Sequence, residues 1–382
     1  MIFKYELTGY GWAESSFFLY NNDYHYNVSY IGESIYDLLY GIIEILHINP
    51  GEPSRSYSFN WTLNGEGFDV YIKFELTENS NELLLEIIEA DNNKENTEKV
   101  FSNVINIDIF INDIITSCEE ILNTHGIIGT YIYWDYSFPF DYYLILKAYF
   151  INNVKFNIDY DNKVGCDNYE KLKYELSFIK EVFFSENINK KVKHICRNDN
   201  EFSTNLFNFE LTEPGWSKLE LSINHSNLKF NIREIGFILM QVIDSINSFH
   251  GNDPNEIDYK GKEKKYGWEI DEFNNLINFD FTSTINKNYM NLIITEMKYK
   301  KIFEGIIPVQ PFVKNIIESC EKILFTYGLI GFYKHINMGM KHFPLTQYLL
   351  LKFYIEKKKK FSKKKPVSNI EQEIKLLMEL FY

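Results

Sequence analysis

Glu6-Leu7-Thr8-Gly9-Tyr10-Gly11-Trp12 returns 204 residues later as Glu210-Leu211-Thr212-Glu213-Pro214-Gly215-Trp216, and this recurrence decides the fold. The same offset carries Tyr26-Asn27 onto Phe230-Asn231 and Ile31-Gly32 onto Ile235-Gly236. Further along, Phe59, Trp61 and Leu63 answer to Tyr266, Trp268 and Ile270, and Ser117-Cys118-Glu119-Glu120-Ile121-Leu122 to Ser319-Cys320-Glu321-Lys322-Ile323-Leu324. Gly126-Ile127-Ile128-Gly129 matches Gly328-Leu329-Ile330-Gly331, and Phe138-Pro139, Leu144 and Lys147 match Phe343-Pro344, Leu349 and Lys352. Matches kept in order along both halves read as a tandem duplication.

Each copy opens with a predicted hairpin. Trp12 to Tyr20 and Tyr24 to Tyr30 flank the turn formers Asn21-Asn22-Asp23, and Asn224-His225-Ser226 is the second turn. Ile35, Leu38, Leu39, Ile42 and Ile43 then fall at helical spacing. A meander follows around Trp61, Val70 to Phe74 and Leu83 to Ile88, with Asn64-Gly65 as a hairpin signal. Ile111, Ile114, Ile115, Cys118, Ile121 and Leu122 make one apolar helical face, repeated by Val313 through Leu324. Gly126 and Gly328 sit where a left-handed cap would end that helix, and Pro139 and Pro344 suit the first turn of the next. Tyr169 to Phe184 reads as an amphipathic helix, Glu186 to Asn200 as a polar linker, and Asn369 to Leu380 as a trailing counterpart helix.

The expected class is therefore α+β: two tandem copies of an antiparallel sheet packed against helices, in the order β-β-α-β-β-β-α-α. The expected boundaries are 1–160 for the first unit, 161–200 for a helical linker, and 201–382 for the second unit with its C-terminal helix. A monomeric pseudo-dimer and a homo-oligomer are both compatible with this organisation.

A hydrophobic fraction of 45% against 24% charged argues for a packed globular chain rather than a disordered one. The formal net charge of −14 opposes nucleic acid and anionic lipid and favours a basic protein partner. The aromatic fraction of 17% accompanies abundant Ile, Asn and Lys, as codon bias in an AT-rich genome would produce. No apolar run approaches a membrane span, and Met1-Ile2-Phe3-Lys4-Tyr5-Glu6 is not a secretory leader. With Cys118, Cys166, Cys196 and Cys320 showing no paired spacing, the expectation is a cytoplasmic protein. The basic run Lys357 to Lys360 with Lys363 to Lys365 reads as a solvated loop.

The chain lacks a phosphate-binding loop, a dinucleotide fingerprint, HExxH, GxSxG and an EF-hand loop, so no cofactor, metal or catalytic residue is expected. Cys118 and Cys320 lie within an apolar face, where a thiolate is disfavoured. No histidine recurs in both copies; His125 faces Tyr327. Glu119-Glu120 read as solvated, and Trp12, Trp61, Trp216 and Trp268 as structural strand residues. The candidate recognition segment is Tyr131-Ile132-Tyr133-Trp134-Asp135-Tyr136, whose counterpart Tyr333-Lys334-His335-Ile336-Asn337-Met338 keeps only the first Tyr. Framework that repeats around a stretch that does not is the pattern of a recognition loop, with Tyr131, Tyr133, Trp134, Asp135 and Tyr136 as its contact residues. A core-facing strand is the structural alternative for Tyr133 and Trp134.

Gly11-Trp12-Ala13-Glu14, Val28-Ser29-Tyr30-Ile31, Asp37-Leu38-Leu39, Glu52-Pro53 and Phe138-Pro139 together resemble a family of small uncharacterised bacterial proteins. Those proteins carry a Gly-Trp-Ala-Glu strand and a Ser-Tyr-Leu segment opening a helix. The second unit departs from the pattern with Gly215-Trp216-Ser217-Lys218 and Arg233-Glu234-Ile235. The resemblance implies no activity or ligand; by analogy it suggests an acidic immunity or antitoxin-like protein encoded beside a toxin. The functional expectation is a non-enzymatic protein that captures a basic partner. The alternative is an enzyme or small-ligand binder with a pocket between the two units.

Overall fold

Alternation of buried and outward residues along Phe3–Gly9 makes the first strand, β1, and the same period continues in β2 (Trp12–Leu19) and β3 (Asn22–Ser29). In the computed structural model they form an antiparallel sheet in the order β1-β2-β3, with Glu6 opposite Glu14 and Trp12 opposite Ser29. The structure describes residues 1–20, 22–29, 34–50, 56–65, 68–79, 81–91, 97–156, 171–183, 206–233, 235–252, 266–272, 275–286, 288–297, 300–336, 342–361 and 368–381. The expected linker of 186–200 lies outside them, as do Cys166, Cys196 and Lys363 to Lys365.

Helix α1 (Ser34–Ile45) leads to a four-stranded antiparallel meander, β4 (Ser58–Gly65), β5 (Phe68–Leu76), β6 (Glu82–Asp91) and β7 (Thr97–Asn106). Asn64 and Gly65 end β4 opposite Asp69 and Phe68. Helices α2 (Ile107–Trp134) and α3 (Phe140–Asn152) close the first set. The core is aromatic. Phe3 packs on Phe17 and Phe110 at 5.2 and 5.4 Å between ring centroids, and fully buried Trp61 donates to Ser34 O at 2.6 Å. Helix α2 also satisfies the free edge of β1: Asp113 accepts from the backbone N–H groups of Ile2 and Phe3, and Ser117 from Tyr5.

The same element order appears further along. After α4 (Lys171–Phe183) come β8 (Phe207–Leu211), β9 (Trp216–Ile223) and β10 (Ser226–Arg233), then α5 (Ile235–Phe249). A second meander follows: β11 (Tyr266–Glu272), β12 (Asn275–Ser283), β13 (Tyr289–Glu296) and β14 (Lys300–Pro308). Then come α6 (Val309–Ile336), α7 (Leu345–Lys357) and α8 (Ile370–Met378). Asn315 and Ser319 cap Leu206 and Phe209 as Asp113 and Ser117 cap the first edge. Asn224 and His225 both take positive φ, 48° and 67°, giving a two-residue hairpin turn whose twist matches its strands.

The class is α+β, with eight helices and four antiparallel sheets among the described residues. The expected order β-β-α-β-β-β-α-α is corrected to β-β-β-α-β-β-β-β-α-α, and one sheet per half becomes two. The added strands are sheet edges. β1 and β8 do alternate apolar and polar residues, at Phe3, Tyr5 and Leu7 and at Phe207, Phe209 and Leu211, and the expected order left them out, whereas β7 exposes most of its side chains and has no such pattern.

Gly126 and Gly328 take φ of 70°, but with ψ of −177° and −170° they kink their helices rather than end them. The chain re-enters a helix at once, and Ile127 and Ile128 there donate backbone N–H groups to the carboxylate of Glu373 at 2.6 and 3.2 Å. Glu373 is fully buried and also accepts from Ser368 at 2.5 Å. The contacts divide the chain into two compact units, and the segment Val367–Ile374 carrying Glu373 belongs with Met1–Asp167 and Tyr174–Asn187.

Candidate functional site

The recognition segment expected as a loop is mostly the last turn of α2, Tyr131 to Trp134. Trp134 is buried against Tyr5 at 6.4 Å, and Asp135 is the left-handed C-cap, its N–H bonded to Tyr131 O. Tyr131 is half-buried, Asp135 and Tyr136 are exposed, and Tyr133 lies flat on Tyr10, 4.6 Å between centroids with the planes 6° apart. The carbonyl of Tyr133 accepts from Gly11 in the β1–β2 turn at 2.6 Å, as that of His335 does from Gly215 at 2.9 Å. Gly11 and Gly215 take φ of 75° and 79°, a conformation that favours glycine. The turn therefore sits on the end of α2, joining Tyr10, which is half exposed, to the predicted residues.

His125 packs on Tyr133 at 4.7 Å and 55°, while Tyr327 packs on His335 at 4.9 Å and 55°. The two positions hold the same pair of residues in exchanged order. Position-by-position comparison of histidines misses this, because the pair is kept and its members are not. Burial holds both imidazoles below their usual pKa, so a charged proton shuttle is disfavoured at each.

A polar triad does repeat. Glu119 accepts from Tyr143 Oη at 3.0 Å and pairs with Lys147; Glu321 accepts from Tyr348 Oη at 3.5 Å and pairs with Lys352 at 2.7 Å. Glu119, expected to be solvated, is thus corrected to a largely buried ion-pair partner, because Tyr143 and Lys147 stand one turn apart on α3 and reach it together. Burial drives both tyrosine hydroxyls up, so neither supplies a phenolate. The matched Glu and Lys in the two halves were the signal for the triad.

Cys118 and Cys320 are buried, and desolvation pushes both thiols up. Of the basic run, Lys357 pairs with Glu379 at 3.4 Å, Lys359 lies over Phe361 at 4.8 Å, and Lys360 covers Tyr354 and donates to His250 O. Lys357, Lys358 and Lys360 are nonetheless exposed, in keeping with a solvated run, and only Lys359 is half-buried. Among the described residues no cluster of His, Cys, Asp or Glu could hold a metal, and no helix is long and apolar enough to cross a membrane.

The four paired tryptophans divide. Trp61 and Trp268 are buried, whereas Trp12 and Trp216 are only half-buried, in phase with the outward residues of β2 and β9. This outer face carries Glu6 and Glu14, and together with exposed Glu120 of α2 they act on Lys4. Glu14 accepts from Ser16 at 2.8 Å and His25 at 3.1 Å, which hold its carboxyl below the usual range. Charge is distributed in the same sense along the whole chain. Residues 1–160 hold 7 Lys and Arg against 24 Asp and Glu, while residues 201–382 hold 24 against 22, so the acidity lies in the first half.

No protein-family model, curated protein or solved structure matches the chain.

Proposed function

We propose that the chain is a cytoplasmic, non-enzymatic binding protein that captures a basic protein partner through its first unit. The observation that carries this reading is the concentration of negative charge in residues 1–160, against near balance in residues 201–382. Aromatic rings in the same unit, exposed Tyr10 with half-buried Tyr133 and Trp12, are the residue types that anchor interfaces. Among the groups that repeat with chemical promise, the two thiols and the tyrosines of the triads are buried, and burial pushes their pKa values up, which favours binding over catalysis.

The halves are read as copies of one ancestral unit. Shared element order, kink glycines, edge caps and triads support this, and the partner surface then belongs to the copy whose outer face became acidic. An immunity or antitoxin-like role is the narrower form, in which binding silences a basic toxin.

The test is affinity isolation from the native host with the whole chain, at rising salt. A dominant partner of basic isoelectric point, lost as salt shortens the Debye length, is the expected result. An acidic partner, or retention indifferent to salt, would overturn the reading.

A further inference from the structure

The second unit shows what its tryptophan holds. Arg233 on β10 lies directly opposite Trp216 on β9, and its guanidinium carbon sits 4.8 Å from the centre of the indole ring. The partner of Trp12 at the same register is Ser29, which is buried and donates to Asn64 O instead. Among the described residues, no cation lies over the Trp12 ring.

The surrounding charges are inverted as well. Where the second face has Lys218 opposite Glu210, the first has Glu14 opposite Glu6. Where Lys322 pairs with Glu210 at 3.3 Å, the first unit has Glu120. Two glutamates directly across a strand pair repel each other, and Lys4 is one cation among three carboxylates. The first face therefore has the aromatic surface of a cation–π contact and a surplus of negative charge around it, while the second unit supplies its own cation.

We propose that Trp12, on the face that carries Glu6 and Glu14, is the seat for an arginine side chain of the partner, which takes over Trp12 the place that Arg233 holds over Trp216. The inference rests on the basic-partner reading and specifies its contact. Arginine is favoured over lysine because its planar guanidinium stacks on the indole while its N–H groups reach the carboxylates.

The probe is an oligo-arginine peptide, with oligo-lysine of equal length as comparator, titrated into the whole chain labelled with fluorotryptophan. The five tryptophans give separate fluorine resonances, and Trp12→Leu assigns one. Oligo-arginine is expected to shift the Trp12 resonance and leave Trp216, already covered, in place. Trp12→Leu should weaken oligo-arginine binding about threefold and leave oligo-lysine unchanged, as loss of one exposed cation–π contact implies. Glu14→Lys should weaken both peptides about tenfold, attraction being replaced by repulsion. Since Lys218 already stands at that register in the second unit, Glu14→Lys tests the seat in a fold that accepts the residue.

If oligo-arginine binds in a salt-dependent way but Trp12→Leu binds it equally well, the seat is overturned and the basic-partner reading survives. If neither peptide binds, the seat is overturned too. Isolation of an acidic partner from the host then removes the broader reading independently.

Discussion

The outer faces of the sheets β1-β2-β3 and β8-β9-β10 share a register and oppose each other in charge. Glu14 and Ser29 on one answer to Lys218 and Arg233 on the other, and Glu120 of α2 answers to Lys322 of α6. Beneath them the two agree: both α2 and α6 kink at a glycine with φ of 70°, and both bury a Glu–Tyr–Lys triad. The difference teaches that packing constrains the inward positions, while the outward ones accept either sign of charge. Inside, a substitution must satisfy volume and hydrogen bonding together; outside, it costs only tenths of a kcal/mol.

The comparison can be broken most forcefully at the triads. Lys352→Ala would leave Glu321 buried without its cation and should cost about 3–5 kcal/mol, whereas Lys147→Ala, in a triad more open to solvent, should cost less. Unfolding followed by hydrogen exchange in each unit would measure both; equal costs would mean that burial does not set the energetics. The kink comes next. Glu373→Ala strands two buried N–H donors at Ile127 and Ile128 and should cost about 2–3 kcal/mol, with exchange accelerating first at those two amides.

Acid should separate the units further. Burial, with Lys360 and Lys358 nearby, lowers the pKa of His250 to about 4, while its counterpart in the first unit, Leu46, does not titrate. A folded pKa below the unfolded one means that the unfolded chain binds the proton first. Stability from this group is thus whole above the unfolded value near 6.5 and lost as pH falls toward 4, by about 1–2 kcal/mol. His250→Phe should flatten that part of the second unit's acid-unfolding profile; an unchanged slope would remove His250 as its cause. The smallest effect on stability is expected at the inverted face. Glu14→Lys should leave unfolding within about 0.5 kcal/mol of wild type, even though it reverses the charge beside Trp12.

Much of this was legible in the residues. The apolar stripes of α1, α2, α5 and α6 fall at helical spacing, and Pro139 and Pro344 do precede helices α3 and α7. The kink was half legible: a glycine after an apolar helical face announces positive φ, but the acceptor that satisfies the re-entering helix of the first unit, Glu373, is far away in sequence. Trp12 is in phase with Glu14 and Phe18 rather than with Ala13 and Phe17, so strand alternation already pointed it outward. The Glu–Tyr–Lys triads were signalled only by the matching of Glu119 with Glu321 and Lys147 with Lys352; that these residues meet was not legible, because they belong to two helices and a glutamate on a polar stripe looks solvated until the lysine that covers it is placed.

Glu373 carries a consequence for the order of assembly. The carboxylate that finishes the broken helix of the first unit is 246 residues beyond the amide it receives. On the ribosome, the unit made first is completed last. Throughout synthesis of the second half, the first must persist with the N–H groups of Ile127 and Ile128 still waiting for their acceptor. An acidic surface that repels like copies of itself is well suited to a nascent chain held in that unfinished state.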